Sequence, residues 1–369
     1  MPFTSPPFRA DHVGSLLRPQ ELLDARDKHQ RGEVDNDALR EIEDRCIRDV
    51  VKLQEDVGLQ SITDGEFRRF IFHMDFLKKL SGVEERGGIA TKFHKQDGEV
   101  DYAPPRLEVV DKLAHSQGIQ WDDFKFLQSV TSQTPKVSIP SPTMVHFRGG
   151  RKGISESAYP DLNDFFKDLA CCYREEIDGL YKVGCRYLQL DDTNLAYLCD
   201  PEQRKAAEAR GDDPNQLPLT YAELINDAID QRPDDMTAAI HLCRGNFRSA
   251  WIAEGSYEPV ADVLFNQIKV NAFFLEFDDE RSGDFSPLRM VPKDKIVVLG
   301  LVTSKRPDLE TKEGLIKRIN EAAQFIDLDQ LCLSPQCGFA SSAYGNDVTV
   351  DNEIAKLQLI VDVAKKVWG

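Results

Sequence analysis

Eight apolar or β-branched runs, ending in polar, chemically capable residues and separated by amphipathic stretches, constrain this 369-residue chain more than any other feature. They fall at residues 10–15, 61–66, 137–142, 187–192, 237–243, 272–278, 295–302 and 330–335. Strand-like runs alternating with helical ones predict a parallel sheet, because parallel neighbours need long crossover connections. Eight such units favour closure into a (β/α)8 TIM barrel over an open doubly wound sheet. No G-x-G-x-x-G or P-loop pattern follows an early strand, which counts against the open sheet. The expectation is an α/β chain forming one barrel domain over residues 1–369.

Helices are expected at 19–29, 38–57, 121–131, 161–183, 221–231 and 352–368, and the polar stretch 202–218 reads as a helix end plus a surface loop. In the second of these, Leu39, Ile42, Cys46, Ile47, Val50, Val51 and Leu53 form one buried stripe, which Gly58 closes. Residues 83–110 read as an insertion after the second strand. Gln96-Asp97-Gly98-Glu99 carries a hairpin signal, and Pro104-Pro105 breaks the pattern beyond it.

A formal net charge of -17 argues against a nucleic-acid or anionic-membrane partner, since either needs a basic face. No apolar run reaches spanning length, and the first residues lack a basic-then-apolar leader. Eight cysteines without disulfide-like spacing predict free thiols in a reducing, cytoplasmic setting. The partners expected are therefore small molecules. The oligomeric state is left open.

In a barrel the reactive groups gather at the carboxyl ends of the strands. His241 and Cys243, two residues apart on one strand, project to one side and offer a nitrogen and a sulfur to a borderline metal such as Zn2+. Glu276 and Cys337 stand at two other strand ends and would complete a His-Cys-Glu-Cys set. Taken singly, each of the four is more often a core residue or a salt-bridged carboxylate. Their convergence at strand ends favours the metal. Such a site suits thiol activation, because a metal-bound thiol stays deprotonated and nucleophilic at neutral pH.

Glu66, Asp191 and Asp192 could bind an ammonium group or act as acid and base, or else pair with Arg68, Arg69 or Lys182. Gly14-Ser15, after Val13, offers a backbone N–H and a hydroxyl to a carboxylate, or forms a simple tight turn. His12, His73 and His146 are candidate proton carriers, with a core or surface role the commoner alternative. The basic loop Arg148-Gly149-Gly150-Arg151-Lys152 could hold an anion, although such loops are usually only solvated.

His241-x-Cys243, Glu276 and Cys337 within Pro335-Gln336-Cys337-Gly338, with Val13-Gly14-Ser15, Asp64-Gly65-Glu66 and Gln189-Leu190-Asp191-Asp192, resemble the catalytic barrel of cobalamin-independent methionine synthase. The opening from His12 to Pro19 is closer to the short, single-barrel branch of that family. The resemblance implies a zinc-bound homocysteine thiolate attacking a methyl donor. It also implies that Ser15, Glu66 and Asp191 hold the amino acid's carboxylate and ammonium; the catalytic candidates are Glu66, Asp191 and, from its own place at a strand end, His12. The family's folate-stacking tryptophan is absent from the matching segment, Val145-His146-Phe147-Arg148-Gly149-Gly150, so the resemblance does not carry over the methyl donor. Three rival readings arise from the same barrel. One is transfer to another thiol, of the epoxide:coenzyme M kind. Another is metal-free decarboxylation of a tetrapyrrole, and the last is metal storage.

Overall fold

Residues 5–88, 91–95, 98–103 and 105–369 are described by the computed structural model. In chain order the strands are β1 (Ser61–Ile62), β2 (Ser81–Arg86), β3 (Thr91–Lys95), β4 (Gly98–Tyr102), β5 (Arg106–Ala114), β6 (Thr134–Pro135), β7 (Val137–Pro140), β8 (Tyr187–Asp192), β9 (Thr237–Leu242), β10 (Ala272–Glu276), β11 (Ile296–Val302) and β12 (Leu331–Pro335). Strands β7 to β12 form one six-stranded parallel sheet in sequence order. β6, one residue before β7, carries the pairing on to β1.

At the other edge, residues 9–11 lie along β12. Ala10 bridges Leu333, and the Asp11 N–H donates to the Leu333 carbonyl at 3.0 Å. Among the described residues no backbone ladder joins this segment to β1. Side chains span the gap instead, with Ser61 Oγ donating to Asp11 Oδ1 at 2.8 Å and Thr63 Oγ1 to the Gly14 carbonyl at 2.7 Å. The expected first strand is thus a single bridge. The expected second strand keeps only its first two residues, because Gly65 and Glu66 turn the chain into the left-handed region at φ 66° and 59°.

Alternation along the strands sorts the side chains into two shells, as a strand's two-residue period requires. Leu188, Leu190, Ile240, Leu242, Phe273, Leu275, Val297 and Leu299 join the large outer core beneath the helices. Tyr187, Ala239, Ala272, Phe274, Val298 and Cys332 form a small inner cluster. Gln189, Asp191, His241 and Glu276 occupy the next positions of that inner set, so the polar residues of the sheet share its inner face.

The expected helices form, shifted by a turn or less at most ends, and a further helix, Lys312–Ala322, has no counterpart in the expectation. Asn36–Val57 begins where the Asp35 side chain accepts from the Ala38 N–H and ends at Gly58, φ 94°. The polar stretch departs further: it forms a full helix, Pro201–Arg210, and the next helix, Leu217–Ile229, starts four residues before the expected 221. Asp200 caps the first by accepting from two N–H groups, and Pro218 fits the opening turn of the second.

The insertion extends to Ala114 as two antiparallel pairs, β2 with β5 and β3 with β4. Lys95 pairs with Gly98 at the inner hairpin's tip, whereas Gln96, Asp97 and Pro104 lie outside the described residues. All eight cysteines are free thiols. Among the described residues no helix is long and apolar enough to cross a membrane.

Candidate metal centre and the cavity above it

His241 is the fifth residue of β9, and Cys243 follows the strand's end; their two-residue spacing puts imidazole and thiol on the inner face. Cys337 stands two residues past β12. The ligand atoms of these three buried residues all lie within 4.8 Å of one another, and the two sulfurs are 3.3 Å apart. Neither ring nitrogen of His241 has a hydrogen-bond partner. A buried imidazole without partners is costly unless something else engages it, and one nitrogen with two sulfurs is a donor set that zinc accepts. The residues therefore fit a metal ion.

Charge within the triad points the same way. The hydrogen bond between the sulfurs holds the Cys337 thiol well below its usual range and pushes Cys243 well above it, so one proton serves both. Burial disfavours charge on His241, but the neighbouring Cys337, Asp191 and Glu276 outweigh it and raise its affinity for a proton. Asp191 is its partner across β8 and β9.

Glu276 reaches the same inner face from β10, yet its carboxylate is not part of that close group. Oε1 accepts from Arg281 Nε at 3.0 Å and from Arg281 Nη2. Oε2 accepts from the Arg244 N–H at 3.1 Å, and Lys305 Nζ lies 3.9 Å from Oε1. Burial works against its ionisation, but Lys305, Arg281 and Arg244 overcome that and keep Glu276 a carboxylate. Of the four expected ligands the structure brings three together and holds the fourth beside them on an arginine.

A cavity opens above the triad, and Ser15, Glu66, Asp191, Asp192, Arg148 and Val13 share its wall. Glu66 is buried, with Ser138 Oγ donating to Oε1 at 3.0 Å and Arg69 at 3.8 Å, while Oε2 has no partner. Burial raises its pKa to about 7. Asp191 accepts from Gln189 Nε2 at 2.6 Å, and burial raises it to about 6. Asp192 is engaged locally, by Thr143 Oγ1 at 2.5 Å and the Leu195 N–H at 2.8 Å. Arg68 and Lys182 pair elsewhere, with Asp44 and Asp178 among others. Gly338 lets Ser15 pack tightly, since a Cβ there would fall 1.9 Å from Ser15 Oγ. Gly14, at φ 137°, makes the turn that presents Ser15.

The histidines separate. His73 lines the cavity and is held neutral by burial, its pKa lowered to about 3. His12 is buried away from the cavity wall, with Nε2 3.0 Å from the Ser61 carbonyl and its pKa lowered by burial to about 4. His146 contacts Tyr221 Oη at 3.0 Å, also outside the cavity wall. In the basic loop Arg151 bonds the Ile154 and Tyr159 carbonyls, whereas Arg148 faces the cavity without a partner among the described residues.

Sequence reasoning missed the aromatic wall. Phe93 and Tyr102 of the insertion line the cavity, and Tyr102 stacks on Phe247 with ring centroids 4.1 Å apart and planes 10° apart. His94 and Trp251 exchange backbone hydrogen bonds of 2.7 and 2.9 Å, which tie the hairpin to the loop after β9. Two aromatic residues on an otherwise charged hairpin were the available signal. Arg281 and Lys305 were missed as well, and nothing in their spacing marks them.

A family model described as the catalytic domain of cobalamin-independent synthase matches residues 8–366. The chain is 46% identical over 367 residues to the Bacillus subtilis protein YxjH, itself uncharacterised, covering 98% of this chain and 95% of that one. It is 24% identical over 328 residues to methionine synthase of Pyrococcus abyssi, covering 88% and 84%. A Listeria monocytogenes structure assigned to the vitamin-B12 independent methionine synthases superposes with a TM-score of 0.78 at 38% identity, covering 98% of each chain. A B12-independent methionine synthase from a Shewanella species, solved with selenomethionine, shares the fold with a TM-score of 0.74 at 18% identity, over 97% of each chain.

Proposed function

The chain belongs to the family of cobalamin-independent methionine synthase catalytic domains, and from that membership we propose that it is a zinc-dependent methyltransferase making methionine from homocysteine. The observation that carries the reading is the juxtaposition of an unpartnered His241 and two sulfurs with the carboxylates of Glu66 and Asp191 around one cavity. His241, Cys243 and Cys337 would hold the metal, with Glu276 as fourth ligand once it leaves Arg281. When bound, zinc supplies the positive charge that keeps a substrate thiol deprotonated at neutral pH.

The protein's own groups do the remaining work. Glu66 Oε2 and Asp191 receive the ammonium of the amino acid. Ser15 Oγ and the backbone of Val13 and Gly14 receive its carboxylate, and Asp192 keeps the strand end in place through Thr143. Held at both ends, the substrate has its sulfur fixed for in-line attack, so that the chemistry avoids the entropic cost of an encounter. Phe93, Tyr102 and Phe247 keep water from the nucleophile. The architecture proposed is one (β/α)8 barrel domain, closed where residues 10–13 meet β1 through side chains, working in the reducing cytoplasm.

Zinc-loaded protein incubated with homocysteine and a panel of methyl donors, scored for methionine by mass spectrometry, tests the reading. Methionine is expected with at least one donor and none after chelation. Full activity in metal-free protein would overturn it.

A further inference from the structure

Consecutive residues of one loop face different cavities: Ile252 lines the one above the triad, and Trp251 lines a second. The second cavity carries the cations Lys95, Arg281, Lys305 and Arg306 against the carboxylates Asp279 and Asp347. Lys95 is paired with Asp347 at 2.7 Å, and Arg281 is closed by Glu276, Asp278 and Asp279. The other two cations are less well satisfied. Lys305 is 5% exposed, and its Nζ has no hydrogen-bond partner, with Glu276 Oε1 3.9 Å away. Arg306, half-buried, has no hydrogen bond or ion pair among the described residues.

An ammonium taken out of water costs several kcal/mol unless hydrogen bonds satisfy its protons, and Glu276, already bonded by Arg281 and Arg244, offers Lys305 its charge at 3.9 Å but no hydrogen bond. We propose that the second cavity binds an oxyanion, a phosphate or carboxylate group of a small molecule, between Lys305 and Arg306. A point-charge ammonium and a planar guanidinium fork together match such a group. Ser249 Oγ, which accepts from the Asp347 N–H at 2.8 Å, keeps its own proton to donate. The site is joined to the metal centre through Lys305, which stands between this cavity and Glu276.

Calorimetric titration of inorganic phosphate and of citrate into the zinc-loaded protein tests the proposal without reference to methyl transfer. Saturable binding is expected, weakened about tenfold or more in Arg306→Glu and in Lys305→Met, as loss of a charge-assisted contact predicts. Should Lys305→Met fail to fold, the half-buried Arg306→Glu decides alone. A rise in KM for an anionic methyl donor in Arg306→Glu, with homocysteine binding unchanged, assigns the oxyanion to the donor. Loss of phosphate binding with that KM unchanged assigns it to a free oxyanion. Absence of binding by both probes, or binding unaltered in the substituted proteins, overturns the site.

Discussion

The sulfurs of Cys243 and Cys337, separated by 94 residues of chain, lie 3.3 Å apart and share a hydrogen bond where two different strands end. A disulfide would hold them at about 2.05 Å, so the pair stands as two thiols sharing one hydrogen bond. Removing either thiolate from the proposed set of His241, Cys243, Cys337 and Glu276 leaves three donors with a single sulfur, a weaker zinc site. Cys337→Ser is expected to lower zinc affinity by more than the ~10–100-fold that accompanies loss of a residue merely orienting a ligand. Zinc content after dialysis, measured beside methionine formation, checks that both fall together.

Glu66 makes the free protein's stability depend on pH. Its pKa rises from 4.5 to about 7 on folding, so the folded state binds this proton more tightly than the unfolded chain does. Stability from this group is full at acid pH and is lost as pH rises between those two values. Glu66→Gln is expected to remove that dependence and raise the neutral-pH melting temperature of the metal-free protein. It is also expected to raise KM for homocysteine about 10- to 100-fold, the loss of a charged hydrogen-bond acceptor for the ammonium. A melting series across pH and a kinetic comparison check the two halves separately.

Gly338 sits against Ser15 with no room for a methyl group. Gly338→Ala is expected to cost roughly 1–3 kcal/mol, as overpacking does, and to weaken homocysteine binding by displacing the Ser15 hydroxyl. Denaturant unfolding with a homocysteine titration measures both. A fully stable variant with unchanged binding would contradict the packing argument.

Lys136 and Asp11 form an ion pair at 3.2 Å whose side chains are wholly buried. Asp11 also accepts from Tyr187 Oη at 2.8 Å, so the network joins the amino-terminal segment to β8 through the middle of the inner face. Lys136→Met leaves the carboxylate buried and unpaired, and about 3–5 kcal/mol of stability is expected to be lost. Double substitution with Asp11→Asn should recover part of it.

Tyr102 has one ring face on Phe247 and belongs to the insertion, so its removal leaves the triad untouched. Tyr102→Ala is expected to leave zinc content and homocysteine binding unchanged while raising KM for the methyl donor. Equal effects on both substrates would place the donor elsewhere.

What could be read from the sequence was what repeats. Strand periods of two and helix stripes placed β8 residue for residue and the neighbouring strands within a residue or two. The pair His241 and Cys243 was legible because both its members lie on one strand with a known side-chain direction. Position in space beyond a single element was not legible in the same way. Whether Glu276 meets His241 and the two cysteines or Arg281 depends on a loop five residues further on, and local pattern carries no information about that choice. His12 failed as a cavity residue for a related reason. It precedes the Gly14 turn, on a segment joined to the sheet by one bridge, where the strand period no longer says which way a side chain faces.

The hairpin of β3 and β4 makes its ladder with itself and meets the rest of the protein through the His94 and Trp251 backbones, the Lys95–Asp347 ion pair and a few rings. Asp191, His241, Cys243, Glu276 and Cys337 stand instead at or just beyond strands locked into the sheet, where a shifted register would disturb every neighbour. Change in the hairpin's length or residues therefore leaves the His241, Cys243 and Cys337 triad intact. Selection can exchange that wall as a cassette, altering which molecule approaches the thiol while the thiol's own seat is inherited unchanged.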